Sequence, residues 1–182
     1  MHKLLLATVL ASVVSIGFLP GAKGDANLFP LGNMEEPNVV NGVTIPKGWE
    51  KPPANLTISQ DSGLFSEGEN SLRITLNETG QGWVRTQVMP VQPGKTYDIR
   101  FSMRLSSPGN LPFCGVRIYD SQKGWIPSSG YLVNSQQSRD WVKKEARFTV
   151  SPEARWIYVG FLVKGDQEAS VNIDDLTITA VD

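Results

Sequence analysis

Tyr97, Ile99, Phe101 and Met103 alternate with Asp98, Arg100, Ser102 and Arg104. Successive side chains of a strand point to opposite faces, so this run is a strand with one apolar face and one polar, cationic face. Upstream, Trp83 to Val88 reads as a second strand, with Val84, Thr86 and Val88 inward. Trp83, Arg85 and Gln87 then share the other face. Val91-Gln92-Pro93-Gly94-Lys95 joins the two as a turn. Pro93 presets φ and Gly94 takes positive φ without steric cost. The stretch Trp83–Arg104 thus predicts a hairpin that buries one side and offers solvent an aromatic ring, arginines and an amide.

The rest of the chain repeats the theme in shorter pieces. Leu56-Thr57-Ile58, Ser71 to Leu76, Gly115 to Tyr119 and Trp141 to Val150 each hold strand-like alternation. In Gly115–Tyr119, Val116 and Ile118 point inward, and Arg117 and Tyr119 outward. Trp156 to Val163 is apolar on both parities. Ile157, Val159, Phe161 and Val163 are assigned to the core, which leaves Trp156 and Tyr158 on the face assigned to Arg100 and Arg117. A central buried strand and a ligand platform are both open readings for Trp156. In Val171 to Ile178 the apolar parity slips at Asp174-Asp175, the signature of a β-bulge. Pro37 to Pro53, Gln60 to Asn70, Ser106 to Asn110 and Asp120 to Ser138 read as loops and turns. Trp49 and Trp141 are assigned to packing. No convincing helix, repeat or linker interrupts the series. Roughly eight short strands separated by turn signals predict an all-β fold, a two-sheet β-sandwich of jelly-roll type.

Residues 1–24 read as a signal peptide: a short polar start, an apolar run from Leu4 to Phe18, then Leu19 to Gly24, with cleavage near 24–26. The apolar run is short for a membrane span of about 20 residues. The expectation is an exported domain over 27–182, extracellular or periplasmic, with no membrane contact after cleavage. The 182 residues carry 17 basic and 18 acidic side chains, net charge −1, which argues against nucleic acid as a partner. The single histidine, His2, lies in the signal, so the domain lacks the imidazole of Ser-His-Asp and Cys-His catalysis and of His-based zinc sites. Cys114 is the only cysteine and reads as a small buried hydrophobe.

Several fragments, in this order and spacing, resemble one family: Asn27-Leu28 to Met34-Glu35, Gly48-Trp49, Gly68 to Ile74, Pro93 to Tyr97, and Ile173-Asp174-Asp175-Leu176. They are similar to the carbohydrate-binding modules of families four, nine, sixteen and twenty-two, over nearly all of 27–182. The resemblance implies a galactose-binding-like jelly roll and a structural calcium ion tying the first and last segments together. Glu35, Asp174 and Asp175 would occupy the family's acidic positions, with backbone carbonyls around Glu69 completing the shell. The alternative is that these acids simply cap turns. Met34 stands where the family more often has an aromatic.

The expected ligand is a poly- or oligosaccharide. Sugar rings present apolar C–H faces that stack on aromatics and hydroxyls that pair with Arg, Gln, Asn and Asp. The candidate set is Trp83, Arg85, Gln87, Arg100, Arg117, Tyr119 and Tyr158, with Trp125 on a loop beside them. Its arginines would also suit an acidic polysaccharide. An enzyme is the competing class, but glycoside hydrolysis needs two carboxylates about 5–9.5 Å apart across a cleft. Glu67, Asp98, Asp120, Asp140 and Glu145 offer no such pair at a spacing that can be placed. The chain is therefore expected to be non-catalytic, with association with a glycoside hydrolase implied by the family. A surface adhesion or assembly module that binds a protein is the remaining alternative.

Overall fold

A computed structural model describes residues 26–106, 112–127, 131–134 and 138–181. The predicted signal, 1–24, and positions 107–110 of the predicted turn lie outside the described residues. The strands in chain order are β1 (Pro37–Val40), β2 (Val43–Pro46), β3 (Leu56–Asp61), β4 (Ser71–Leu76), β5 (Gly80–Arg85), β6 (Met89–Pro90) and β7 (Thr96–Leu105). They continue as β8 (Phe113–Tyr119), β9 (Trp125–Ile126), β10 (Tyr131–Asn134), β11 (Val142–Thr149), β12 (Trp156–Gly165) and β13 (Ser170–Val181). All pairings are antiparallel. One sheet runs β11-β7-β13-β4-β3; the other runs β10-β8-β12-β5, with β6 on β12 and β9 on β8. This is the two-layered jelly roll that the alternation predicts.

The Trp83–Arg104 stretch is not a hairpin. β5 pairs with β12 in one sheet, while β7 pairs with β11 and β13 in the other. The Pro93-Gly94 turn carries the chain from one layer to the other, with Gly94 at φ 71°. Alternation fixes which side chains are buried but not which strand lies alongside, so the inward set holds and the partnership does not. Tyr97, Ile99, Phe101 and Met103 are all buried. Val88 points outward, 45% exposed, because the chain breaks step between β5 and β6.

Three other segments depart from the loop reading. Pro37–Pro53 contains the β1–β2 hairpin, turning through Asn41 (φ 52°) and Gly42 (φ 80°). Positive φ at both central residues is the turn that Asn-Gly favours. Asp120–Ser138 contains β9 and β10, which lie along β8 at different heights. β3 extends to Asp61. The bulge in β13 is where the parity slip puts it: the register shifts between Asp174 and Thr177, and Asp175 has φ 52°.

The core fills the space between the sheets. Phe161 of β12 meets Phe101 of β7 edge to face at 5.1 Å, joining the two layers. Burying a side chain of that size stabilises the fold by about 1.5–3 kcal/mol. Trp49 plugs one end, 3% exposed, against Phe161 and Phe29, and its Nε1 donates to Met34 Sδ at 3.3 Å. Met34 is itself fully buried, its thioether packed beneath the Trp49 indole. Leu28 N donates to Ile178 O at 2.8 Å, and Phe29 is buried, which pins the start of the domain to β13. Cys114 lies in the core, and burial pushes its thiol well above the usual range.

Candidate functional site: an aromatic and cationic sheet face

β12 runs between β8 and the β5–β6 lane, and its register decides what meets on the outer face. Trp156 lies opposite Tyr119 on one side and Pro90 on the other; Tyr158 lies opposite Arg117. Gly160 lies opposite Gly115 and Arg85, and Leu162 opposite Phe113 and Trp83. Tyr119 also lies opposite Trp125 of β9. Period two therefore gathers Trp83, Arg85, Arg117, Tyr119, Trp125, Trp156 and Tyr158 on one face. The other parity of the same strands, including Val84, Val116, Ile118, Ile157 and Val159, is core.

Local contacts fix these groups. The Tyr119 and Tyr158 rings are 5.8 Å apart. Burial, then the neighbouring Tyr158 hydroxyl, raises the Tyr119 phenol, against the pull of Arg117 and Arg85. Arg85 lies over the Tyr158 ring, its Cζ 5.0 Å from the centroid, and its Nε donates to Glu50 Oε2 at 2.5 Å. The segment around Glu50 is held there by ladder-like bonds: Gln87 N to Gly48 O at 2.8 Å, and Glu50 N to Arg85 O at 3.0 Å. Burial works against the Arg85 charge, but the bonds to Glu50 and Tyr158 outweigh it, and the guanidinium is held above its usual value. Arg117 lies over the Trp125 ring at 5.3 Å. Trp125 is 53% exposed, whereas Tyr158 is only 6% exposed and forms a floor.

A groove of about 330 Å³ opens on this face, lined by Arg85, Val88, Tyr119, Lys123, Trp156 and Tyr158. That is within the lower range of ligand pockets. Sequence reasoning missed Val88 and Lys123 and left Trp156 open. The Trp156/Tyr158 parity was the available signal for Trp156; nothing local marks Lys123.

Two expected members fall elsewhere. Arg100 belongs to β7, in the opposite sheet, 3.7 Å from both Glu145 and Asp98. Its assignment to the aromatic face came from the hairpin and fails with it. Gln87 is exposed at the break after β5, off the regular ladder. Arg100 instead lines a larger hollow, of about 540 Å³, with Glu67, Lys143, Glu145 and Asp175. Four of its six charged residues are paired, Lys143 with Glu67 at 3.3 Å and Arg100 with Glu145. Its one ring, Phe101, is buried. With no exposed ring to stack on, it is the poorer sugar platform despite its size.

The expected calcium ligands do not form one shell. Glu35 Oε1 accepts from Glu69 N (2.8 Å) and Asn70 N (3.1 Å), and Oε2 from Asn70 Nδ2 (2.7 Å). Asp174 Oδ2 accepts from Ser66 N (2.8 Å) and Glu67 N (3.3 Å), and Oδ1 from Asp175 N (2.8 Å). Both carboxylates thus clamp the loop 66–70 by its amides, at different residues. Gly68 lies directly over Glu35, where a Cβ would come within 2.2 Å of Oε1. A calcium ion needs oxygens converging at about 2.3–2.6 Å. Among the described residues no three His, Cys, Asp or Glu converge in that way. In this arrangement Glu35 and Asp174 spend their oxygens on N–H groups.

The model of a carbohydrate binding domain family matches residues 37–168, and the chain belongs to that family. Comparison with curated proteins finds no match. Among solved structures, the CBM22-1 xylan-binding domain of Paenibacillus barcinonensis Xyn10C is similar at TM-score 0.65 and 15% identity, over 88% of this chain and 98% of that one. A family 16 carbohydrate binding module gives 0.55 and 16%, over 84% and 99%. The enzymatically active domain of tailspike protein 4 from bacteriophage CBA120 gives 0.62 and 13%, over 74% of this chain. This chain spans only 20% of the tailspike domain. It spans 26% of a Clostridium thermocellum xylanase 10B structure that holds CBM22-1 and GH10 modules with xylohexaose, at TM-score 0.60 and 13% identity.

Proposed function

We propose that this chain is an exported, non-catalytic module that holds a poly- or oligosaccharide along the outer face of the β8–β12–β5 sheet. The observation that carries the reading is the segregation of one sheet into a buried apolar side and an outer side bearing Trp83, Tyr119, Trp125 and Trp156 beside Arg85 and Arg117. Rings accept the C–H faces of pyranoses, and guanidinium forks and phenols pair with hydroxyls. Tyr158, packed against the Tyr119 ring and under Arg85, orients both neighbours rather than stacking on a sugar itself.

A non-catalytic role is supported by where the carboxylates are spent. Asp98 is paired with Arg147 at 2.7 and 2.9 Å, and Glu145 lies against Arg100. Asp120 Oδ1 caps its own turn, accepting from Gln122 N and Gly124 N at 2.8 Å each. No Asp or Glu lines the aromatic groove among the described residues. The xylan-binding and xylanase relatives support a place beside glycoside hydrolases, with the module concentrating the catalyst on its polymer.

Affinity electrophoresis of the purified protein in gels containing soluble polysaccharides, with a reducing-end assay on the same panel, tests the reading. Retardation by at least one glycan without release of reducing ends is expected. Release of reducing ends would make the chain an enzyme. Free migration in every gel, with a stable protein complex instead, would make it an assembly module.

A further inference from the structure

The charges around the groove are not balanced. Its six lining residues contribute two cations, Arg85 and Lys123, and no acid. Arg117 stands opposite Tyr158 in the ladder and makes a third. The chain as a whole has net charge −1, so this excess is local. Among the described residues, neither Arg117 nor Lys123 is ion-paired. Two acids that touch or adjoin lining residues are committed: Glu50 to the Nε of Arg85, and Asp120, next to Tyr119, to the amides of its own turn. That turn also holds Lys123 at φ 63°, with its N–H on Asp120 O, and so presents the lysine at the groove. In the hollow on the opposite sheet, by contrast, three cations (Arg100, Lys143 and Lys144) are matched by three acids (Glu67, Glu145 and Asp175).

Hydroxyls can pair with the Arg85 fork, whose charge Glu50 already meets, but a neutral glycan leaves the charges of Arg117 and Lys123 without an anion. Lys and Arg heads are costly to desolvate, and hydroxyls return only neutral hydrogen bonds; a planar carboxylate matches a guanidinium fork and roughly doubles the bond strength. Rings interleaved with cations fit a polymer that alternates apolar faces with anionic groups. We propose that the groove selects an acidic glycan, a chain of sugars bearing carboxylates, with ring faces on Trp125, Trp156 and Tyr119 and carboxylates toward Arg85, Arg117 and Lys123. The proposal rests on the aromatic face being the glycan site and adds the charge of its ligand.

The test compares retention of the purified protein by polygalacturonate, a neutral galactan, κ-carrageenan as a sulfated glycan, and poly-L-glutamate as a carboxylated chain without sugar rings. Polygalacturonate is expected to retain the protein about tenfold more strongly than the galactan, with most of that margin lost in high salt because exposed charges are screened. Arg117→Gln with Lys123→Gln, both at exposed positions, should lose about tenfold on polygalacturonate, while Lys143→Gln on the opposite sheet changes nothing. Equal, salt-insensitive retention by galactan would overturn the acidic-glycan proposal and leave glycan binding standing. Preference for carrageenan would overturn carboxylate recognition, and equal retention by polyglutamate would overturn recognition of a sugar. Free migration in all four, together with every neutral glycan of the wider panel, would overturn the site itself.

Discussion

The ring of Trp83 lies across Gly160: a Cβ placed on that glycine would come within 3.0 Å of Trp83 Cε3 and 3.2 Å of Cζ3. Gly160 is a central residue of β12, between Arg85 and Gly115 in the ladder. The missing side chain leaves a flat bed on which the indole rests against the sheet. Gly160→Ala should push the indole outward, shift the tryptophan emission and weaken glycan retention. The overpacking cost should be about 1 kcal/mol, at the low end for such changes. Unchanged emission and unchanged retention in the folded variant would remove Trp83 from the site.

Two tryptophans of similar size should behave oppositely. Trp49 is a core plug, and Trp49→Ala should cost about 3–5 kcal/mol in chemical denaturation. Trp125 is half exposed, so Trp125→Ala should leave the denaturation midpoint almost unmoved while reducing glycan retention several-fold. A large stability loss at Trp125 with normal retention would make it an anchor for its loop.

Chelation should not lower the melting temperature. The loop 66–70 is held by amide bonds to Glu35 and Asp174, and a ligand that stabilised the fold would shift melting by mass action. A melt that rises with added Ca²⁺ and falls with chelator would return those carboxylates to metal binding. Glu35→Ala, by comparison, leaves two loop N–H groups and the Asn70 amide without their acceptor. It should cost about 1–3 kcal/mol with or without calcium.

The two clamping acids should respond to pH in opposite directions. Burial pushes the Asp174 carboxyl up to about 6; the Ser66 and Glu67 amides oppose this and the neighbouring Asp175 adds to it. The folded chain then binds that proton more tightly than the unfolded chain does, so this contribution to stability is full below about pH 4 and is lost as pH rises through 6. Glu35 is the reverse. Burial alone would raise it, but the Glu69 and Asn70 donors hold it below the usual carboxylate value, so its contribution is present above that value and lost on acidification. The difference in melting temperature between wild type and Asp174→Asn should change steadily between pH 4 and 6. A constant difference across that window would sink the assignment.

What the sequence made legible follows from what alternation encodes. Period two sorted inward from outward residues correctly along β7, β8 and β12, and so assembled most of the aromatic face from Arg85, Arg117, Tyr119 and Tyr158. It does not encode which strand lies beside which. Arg100 was therefore assigned to the wrong sheet: a turn at Pro93-Gly94 looks the same in one-dimensional pattern whether it closes a hairpin or crosses between layers. Val88 was misplaced because the step between β5 and β6 is set by the ladder on β12, not by local residue type. The Asn41-Gly42 hairpin is legible in its dipeptide. Lys123 was not readable, since its place at the groove depends on a four-residue turn meeting a strand more than thirty positions later.

The interruption after β5 separates two jobs that a continuous strand would have fused. Gly80–Arg85 and Met89–Pro90 are each stitched to β12 by their own ladder bonds, and Thr86 Oγ1 takes the Val159 N–H between them. Gln87 and Val88 are left outside that stitching, with Val88 forming part of the groove wall. Exchange of those two side chains would reshape the recess while the backbone bond from Gln87 N to Gly48 O keeps the architecture beneath it closed. In such a chain, specificity can drift at side chains that the core does not use.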